Sequence, residues 1–325
     1  MFNPFFKNQG PFNILEILKI LDINSDSFQN KKIHDVKDLL NSTSKDLTFF
    51  HTKKYRDSAK MTKASFCITT NSLKNELPKN CIPLIVNNVL VSTSKVTSKF
   101  YPQAINDNFD NEVTDILDSI YKDKIIFGKN VLIGKNVSIG SNCIIGHNTI
   151  IEKNVSIGNN CSIGSNTIIR NSLIGNDVKI LDNCILGKHG FGFFPNSSKN
   201  IRYPHIGFVK IKDNCEIGSG STIDRGSMSN TVIGKNTFLD NQIHIAHNVK
   251  IGSNSIIAGQ VGIAGSSVIG NNVKIGGQVG ISGHLKIGNN VEIGGGSGVI
   301  KNIPDNAKVM GYPATNFRNF LKENK

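Results

Sequence analysis

His247 and His284 are the residues of this 325-residue chain whose type and spacing best suit chemistry. Each lies just after the central aliphatic residue of a six-residue segment, in 243–248 and in 279–284, and they are 37 residues apart. An imidazole has an ordinary pKa near 6.5, so two of them lining one groove suit proton transfer near neutral pH. The pair therefore predicts a general acid–base site.

Metal binding is the competing interpretation of the same histidines. His244 precedes His247 by three residues and stands directly before Ile245, so we expect its side chain to diverge from that of His247 across the strand. Neither a cysteine nor a carboxylate completes a ligand set. We predict no metal ion. The other histidines, His51 among them, show no evident partner and are predicted to be solvated or structural.

Asp240 is a candidate partner for the base, because it lies seven residues before His247. At that separation it could meet His247 only if corners of neighbouring subunits come together. The alternative is a turn residue whose carboxylate caps local amides.

A six-residue rhythm over residues 131–302 must position these side chains. Each hexad carries Ile, Leu or Val at its third position, commonly Gly at its fourth and Asn or Gly at its sixth. Short strands repeated at this period predict a parallel β-solenoid in which three hexads close one triangular coil. The third-position aliphatics and small first-position residues point inward. The spacing then places His247 and His284 on one corner, about 10 Å apart along the axis.

The rhythm is irregular in three places. It is predicted to shorten over 167–171 and over 227–230, and it stops between His189 and Phe208. A loop that leaves a solenoid edge is a candidate binding element, and the alternative is a loop that buttresses a neighbouring subunit.

The chain divides into three predicted regions. Residues 1–122 read as a small α/β domain with a linker, because helical spacing at 14–21 is followed by strand patterns at 64–69 and 82–86. Residues 123–313 form the solenoid. Residues 314–325 are predicted to be a short basic helix. The fold class is therefore mainly β.

Composition narrows the function classes. No apolar run reaches the ~18 residues of a membrane span, and the N-terminus lacks a signal-peptide pattern, which favours a cytoplasmic protein. The net charge of +13 lies mostly in residues 123–325, with 21 Lys and Arg against 11 Asp and Glu. These charges lack interleaved aromatic residues, so an acidic protein or a phosphorylated substrate fits better than nucleic acid. The cysteines are predicted to be reduced and structural, since four occupy inward hexad positions: Cys143, Cys161, Cys184 and Cys215.

Several segments resemble the UDP-3-O-acylglucosamine N-acyltransferase family of lipid A biosynthesis. The resemblance covers roughly residues 10–315 and includes 47–55 and 64–66, which match the pattern of the family's uridine-binding domain. In the solenoid it rests on the runs Gly190-Phe191-Gly192-Phe193, Ile223-Asp224-Arg225-Gly226, Asp240-Asn241-Gln242, Ile245-Ala246-His247-Asn248, Gly262-Ile263-Ala264-Gly265 and Ser282-Gly283-His284.

This resemblance implies a left-handed β-helix and a homotrimer. The implied reaction moves a 3-hydroxyacyl chain from the phosphopantetheine thioester of acyl carrier protein to the 2-amino group of UDP-3-O-acylglucosamine. No enzyme-bound cofactor is implied, because phosphopantetheine arrives on the donor. A cytoplasmic location follows, with a peripheral position at the membrane as the alternative.

The resemblance also implies roles for particular residues. His247 would be the general base, the Gly265 backbone N–H would meet the oxyanion, and His284 would assist binding or polarisation. For the nucleotide, uracil would stack between Phe49 and Tyr55.

Two positions depart from the family pattern. Thr52 stands where the family usually has Asn, which bears on one hydrogen bond to uracil. His244 stands where Gln is usual, and the sequence assigns it no role.

Two other classes of function stay open at this point. One is a transferase that uses acetyl-CoA on a nucleotide amino sugar or acylates a sugar oxygen, and the other is a non-enzymatic binding solenoid. The paired histidines argue against a scaffold, and the uridine-type first domain argues against the simpler acetyltransferases.

Overall fold

A computed structural model describes residues 3–24, 26, 28, 30–195 and 200–323. The chain divides into two compact units, Met1–Asn106 with Gly192–Ile206, and Asp107–Phe191 with Gly207–Lys325. The boundary predicted near residue 123 lies inside the second unit, because Thr114–Asp115 pairs with the solenoid strand Leu132–Ile133.

The first unit is a small α/β domain, as the patterns predict. Its parallel sheet contains Asp35–Val36, Asp46–Phe50, Phe66–Thr69 and Ile82–Ile85 in that order. Antiparallel pairs join Phe12–Asn13 to Lys32–Ile33 and Phe193–Phe194 to Ile201–Arg202. Its helices are Ile14–Ile20, Arg56–Lys60 and Val89–Phe100, with 3-10 turns at Lys53–Tyr55, Lys74–Glu76 and Pro102–Ala104.

The first helix illustrates how local sequence sets this domain. Asn13 and Glu16 form a capping box at its start, which satisfies backbone N–H groups that the helix leaves unpaired. Ile14, Ile17 and Leu18 are fully buried. The helical spacing in the sequence therefore marks the face that packs on the core.

The second unit is the predicted parallel solenoid. In the described part of the chain, its stacked coils form three sheets. The first, which we call the groove sheet, contains Thr114–Asp115, Leu132–Ile133, Ile150–Ile151, Ile168–Ile169, Ile185–Lys188, Thr222–Asp224, His244–Ile245, Gly262–Ile263, Gly280–Ile281 and Gly298–Val299.

The other two sheets complete each coil. One contains Ser138–Ile139, Ser156–Ile157, Ser172–Ile174, Val209–Ile211, Thr231–Ile233, Lys250–Ile251, Val268–Ile269 and Lys286–Ile287. The other contains Ile126–Phe127, Ile144–Ile145, Ser162–Ile163, Lys179–Ile180, Glu216–Ile217, Phe238–Leu239, Ile256–Ile257, Lys274–Ile275, Glu292–Ile293, Lys308–Met310 and Thr315–Asn316.

Two recurring positions of the hexad explain why it folds in this way. The third-position aliphatics point inward and are buried, as at Ile245, Ile263 and Ile281. The sixth position takes a left-handed backbone, with φ of 58° at Asn136 and 61° at Asn248. Asn tolerates that conformation better than most residues, which accounts for its frequency there.

The inward cysteines are buried and are free thiols. Burial raises the pKa of Cys161 and Cys184 to about 11. These two thiols are thus held in the unreactive protonated form, and all four inward cysteines pack as small apolar groups.

The register confirms two of the predicted irregularities and corrects the third. Regular coils advance by 18 residues, as from His244 to Gly262. Ser156 aligns with Leu173, which confirms the shortening, and Ile185 aligns with Thr222 across the interruption after His189. Thr222, however, aligns with His244, 22 residues away. The shortening predicted over 227–230 is wrong, because extra residues bulge from that corner.

The chain ends, within its described part, in a short helix at Phe317–Glu323. The two final residues of the helix predicted over 314–325 lie outside the described residues. A further 3-10 turn spans Ile116–Asp118. In the described ranges, none of the helices is both long enough and apolar enough to cross a membrane.

Candidate active site

One corner of the solenoid brings together the two histidines that the spacing singles out. His247, Gly265 and Gly283 occupy equivalent places in successive coils, and Asn248, Ser266 and His284 follow them. The backbone ties the coils together, since Ser266 N–H donates to the His247 carbonyl at 2.9 Å and His284 N–H donates to the Gly265 carbonyl at 3.0 Å. His284 takes the left-handed conformation, with φ of 59°, that Asn usually fills in this fold.

The His247 imidazole lies against the backbone of the next coil. A methyl group placed on Gly265 would stand 2.7 Å from Cε1 and 2.8 Å from Nε2 of the ring. The ring is half-buried, and its Nδ1 lies 3.3 Å from the side-chain amide of Asn248. The position of the ring therefore depends on a glycine at residue 265.

The surroundings of His247 shift its pKa downward. Burial lowers the pKa from its ordinary value of 6.5, the Asp224 carboxylate raises it, and charges on His284 and His244 lower it. The net lowering keeps the imidazole neutral at pH 7, which is the form that accepts a proton.

This shift predicts the pH dependence of turnover. We expect kcat/KM to be level near neutral pH and to fall in acid with an apparent pKa below 6.5. The sign follows because protonation inactivates a base, and a lowered pKa moves that loss to lower pH. Initial rates from pH 5 to 8 check this, and an acid limb above 6.5 would contradict it.

The backbone of Gly265 lies beside the His247 imidazole. Among the described residues, its N–H forms no hydrogen bond with the protein, while its carbonyl accepts one from His284. An N–H beside the imidazole is suited to an oxyanion that develops near the base. This role, like those of His247 and His284, stays a prediction.

Asp240 lies at a different corner from His247 within the chain. It follows Phe238–Leu239 and precedes the groove sheet strand His244–Ile245, whereas His247 follows that strand. Asp240 accepts a hydrogen bond from the side chain of Asn241 at 3.0 Å. A role as partner of His247 therefore requires a neighbouring subunit, as the sequence spacing indicates.

The sequence did not single out the residues that lock this corner. The side-chain carbonyl of Asn248 accepts from Ser227 N–H at 2.7 Å, and its amide donates to Ser227 Oγ at 2.8 Å and Ser266 Oγ at 3.3 Å. The bulge that contains Ser227 thus contacts the residue next to the base. Asn at a sixth hexad position gave no signal, because so many coils carry it.

A groove of about 500 Å³ runs along the outer face of the groove sheet beside His247. Its floor is a glycine strip formed by Gly262, Gly280 and Gly298, the outward residues of three successive strands. Side chains placed at 262 or 280 would enter open space, whereas Gly298 is covered by the Tyr312 ring. Counting outward positions at a spacing of 18 residues would have found this strip in the sequence.

A charged cluster spans three successive coils beside the groove, and its member His244 lines the groove. The Lys188 Nζ is 2.7 Å from Oδ1 of the buried Asp224, and His244 Nε2 is 3.8 Å from Oδ2. Thr222 Oγ1 is hydrogen-bonded to His244 Nδ1 at 2.7 Å. His244 thus belongs to the site by geometry, although its sequence context assigned it no role.

Arg225 follows Asp224 and is itself buried. Its guanidinium pairs with Asp107 at 2.6 Å, and Arg170 lies 3.8 Å from the same carboxylate. Desolvation lowers the pKa of the Arg225 guanidinium, and Asp107 raises it. The pair anchors the start of the second unit next to the bulge that contacts the corner of His247.

The candidate nucleotide residues lie together in the first unit. Phe49 is in the strand Asp46–Phe50, Thr52 precedes the 3-10 turn, and Tyr55 ends it. All three are half-buried, with extended backbone at Thr52. Their role in binding uracil is untested and stays a prediction.

His51 is a further aromatic member of this group, and its description as a residue without a partner is wrong. Its ring centroid is 6.1 Å from that of Phe49 and 5.6 Å from that of Tyr55. Alternation along a strand puts residues 49 and 51 on one face, which was the available signal.

A parallel β-helix of hexads with two histidines at one corner, beside an apolar groove, defines a transferase of the hexapeptide-repeat class. Three family models match the chain. UDP-3-O-(3-hydroxymyristoyl) glucosamine N-acyltransferase matches residues 30–98, the GMPPB C-terminal domain matches 121–190, and the bacterial transferase hexapeptide (six repeats) matches 230–265 and 266–301.

Similar proteins extend the match over most of the chain. UDP-3-O-acylglucosamine N-acyltransferase of Rickettsia rickettsii (strain Sheila Smith) is 39% identical over 252 residues, which cover 76% of this chain and 72% of the relative. The enzyme of the same name from Rickettsia prowazekii (strain Madrid E) is 39% identical over 256 residues, with the same coverage. This chain belongs to the UDP-3-O-acylglucosamine N-acyltransferase family and is an acyltransferase.

A solved structure supports the fold. The UDP-N-acetylglucosamine acyltransferase of Francisella novicida aligns with a TM-score of 0.54 and 24% identity, over 61% of this chain and 73% of that one. The left-handed β-helix predicted from the sequence is confirmed.

Proposed function

We propose that this enzyme transfers a 3-hydroxyacyl chain from the thioester of acyl carrier protein to the 2-amino group of UDP-3-O-acylglucosamine, with His247 as general base. The observation that carries this mechanism is the His247 imidazole held against Gly265 at the edge of the groove, where burial lowers its pKa. Family membership supports the acceptor.

The chemistry requires one proton to move. The amine nitrogen attacks the thioester carbon and forms a C–N bond, and His247 takes the proton that the nitrogen loses. The tetrahedral intermediate then collapses, the C–S bond breaks, and the protonated His247 returns its proton to the leaving thiolate. The products are an amide and a free thiol, without a covalent enzyme intermediate or a metal.

Neighbouring groups would stabilise the intermediate. The Gly265 N–H would donate to the oxyanion, and His284 would orient or polarise the thioester. Asp240 of a neighbouring subunit would support His247 in a homotrimer.

The groove suits a long acyl chain better than an acetyl group. Its volume of about 500 Å³ and its glycine floor provide a smooth apolar track beside the base. Burial of methylene groups there would contribute about 0.8 kcal/mol each.

Charge and composition support the proposed donor and location. Acyl carrier protein is acidic, and the basic Arg318 and Lys322 of the terminal helix offer a contact for it. A cytoplasmic enzyme that requires no bound cofactor is the corresponding proposal.

Nucleotide binding provides a separate prediction. Replacing Phe49 or Tyr55 by alanine should raise KM for the UDP-sugar about tenfold and leave kcat nearly unchanged, because stacking on a base contributes about 1–3 kcal/mol. Steady-state kinetics at saturating donor check this. An unchanged KM in both variants would assign Phe49 and Tyr55 to structural roles.

An N-acylation assay tests the function as a whole. Purified protein is incubated with UDP-3-O-(3-hydroxyacyl)glucosamine and either 3-hydroxyacyl carrier protein or acetyl-CoA, and products are identified by mass spectrometry. Amide formed from the carrier protein alone supports the proposal. Product from acetyl-CoA would indicate an acetyltransferase, and no product from either donor would favour a binding solenoid.

A further inference from the structure

Asp224 is a buried carboxylate at a place where later coils carry small neutral residues. It ends the strand Thr222–Asp224, whose first two residues align with His244 and Ile245 in the next coil. By this register Asp224 is level with Ala246, which precedes His247. The following coils carry Ala264 and Ser282 at the same level. The Asp224 side chain is 1% exposed.

A carboxylate in such a place is expensive to desolvate unless it is paired. Lys188 pairs with it at 2.7 Å and reaches solvent, with 34% of its side chain exposed. His244 Nε2 approaches the other oxygen at 3.8 Å, and Thr222 fixes the imidazole from the opposite edge at 2.7 Å. Because a buried ion pair is weak evidence for stability, the cluster calls for a functional explanation.

The cluster acts on the candidate base. Within the described chain, the charged and titratable groups that act on His247 are Asp224 from the preceding coil, His244 from its own strand and His284 from a later coil. Lys188 is paired with Asp224, and Asp240 lies at a different corner of the same chain. Arg225 follows Asp224 in sequence, and its charge is paired with Asp107. Of these groups, the Asp224 carboxylate raises the pKa of His247, and His244 and His284 lower it.

We propose that Asp224 and His244 are positioning residues for the transfer: the Asp224 carboxylate stabilises the imidazolium that His247 forms on taking the amine proton, and positive charge on the neighbouring His244 imidazole opposes it. This inference rests on the proposed role of His247 as base. The carboxylate favours proton acceptance, and the neighbouring imidazole prevents His247 from being protonated too early. Neither residue needs to touch the substrate.

The test uses two variants whose effects have opposite signs. Asp224→Asn removes a negative charge and should move the acid limb of kcat/KM to lower pH by roughly 0.5–1 unit. His244→Gln removes the imidazole with any charge it carries and retains a side chain that can hydrogen-bond to Thr222. It should move the limb to higher pH by a similar amount. Structural loosening alone would not give opposite shifts.

A second measurement and a second variant keep the test decisive. Titration of the His247 ring by NMR should give the same opposite shifts without any substrate. If Asp224→Asn does not fold, Asp224→Ser introduces the residue found at 282 on this corner and should shift the limb in the same direction. Shifts of the same sign in both variants, or no shift, would overturn the inference.

The outcomes separate this inference from the proposed function. If the wild-type enzyme makes no amide, or if the His247→Ala variant makes it at a normal rate, the proposed function fails. If wild-type activity requires His247 but the acid limb does not move in the variants, only the roles of Asp224 and His244 fail.

Discussion

Replacing His247 by alanine should lower kcat by about 10²–10⁴-fold, the range that general-base catalysis contributes. The amine must lose a proton as it attacks, and the three atoms nearest a methyl placed on Gly265 all belong to the His247 ring. His284 lies two coils further along and in the next column, so it should not substitute. The fold should remain intact, because the side chain lies at a corner outside the apolar core.

The matched control is His147→Ala. His147 occupies the same place in its hexad, in Gly146-His147-Asn148, but it follows the strand Ile144–Ile145 of a different sheet. Its Nδ1 accepts a hydrogen bond from Lys129 N–H at 2.8 Å. This variant should keep normal turnover. Single-turnover rates and thermal unfolding of both variants are the measurements, and a His247→Ala enzyme with normal kcat would exclude the base.

The solenoid could be predicted because its determinants are local. Each hexad carries its own inward aliphatic, as at Ile263, and its own residue for the left-handed turn, as at Asn272 with φ of 56°. A repeat stabilised by such contacts with neighbouring coils reveals itself in sequence. The spacing of His247 and His284 was informative for the same reason, since the intervening coils are regular.

What the sequence concealed depends on contacts between coils across irregular segments. Asp224 and Lys188 lie 36 residues apart, and the long interruption after His189 separates their strands. The sequence pattern predicts a shortening at 227–230, where the structure has a bulge. The alignment of Thr222 with His244 could therefore not be predicted. Polar residues at a corner carry no periodic signal, so their partners appear only once the register is known.

Local resemblance between hexads also limited what could be predicted. His147 and His247 have the same neighbours in sequence, an aliphatic residue two before and Asn directly after. Only the sheet to which the preceding strand belongs distinguishes the corner with the groove from the corner without it. The function of a histidine in this solenoid therefore depends on which sheet its strand belongs to as much as on its local sequence motif.

Replacing Gly265 by alanine is expected to reduce kcat by about a hundredfold, although it adds a single methyl group. That methyl would lie 2.7 Å from Cε1 and 2.8 Å from Nε2 of His247, closer than carbon and nitrogen atoms approach without bonding. The imidazole can swing away from the corner more readily than the backbone can move. The base would then be displaced from the amine while the coil stays intact.

Gly283→Ala is the control for this effect. Gly283 occupies the same column one coil further on, and an added methyl would lie 3.1 Å from the Gly265 carbonyl and 3.9 Å from the Ala264 side chain, with no atom of His247 within 4 Å. We expect nearly normal kcat in this variant and similar thermal unfolding in both. Equal losses in the two variants would show that neither of these two glycine positions tolerates a side chain. A loss confined to Gly265→Ala would show that turnover depends on where this glycine allows the imidazole to lie.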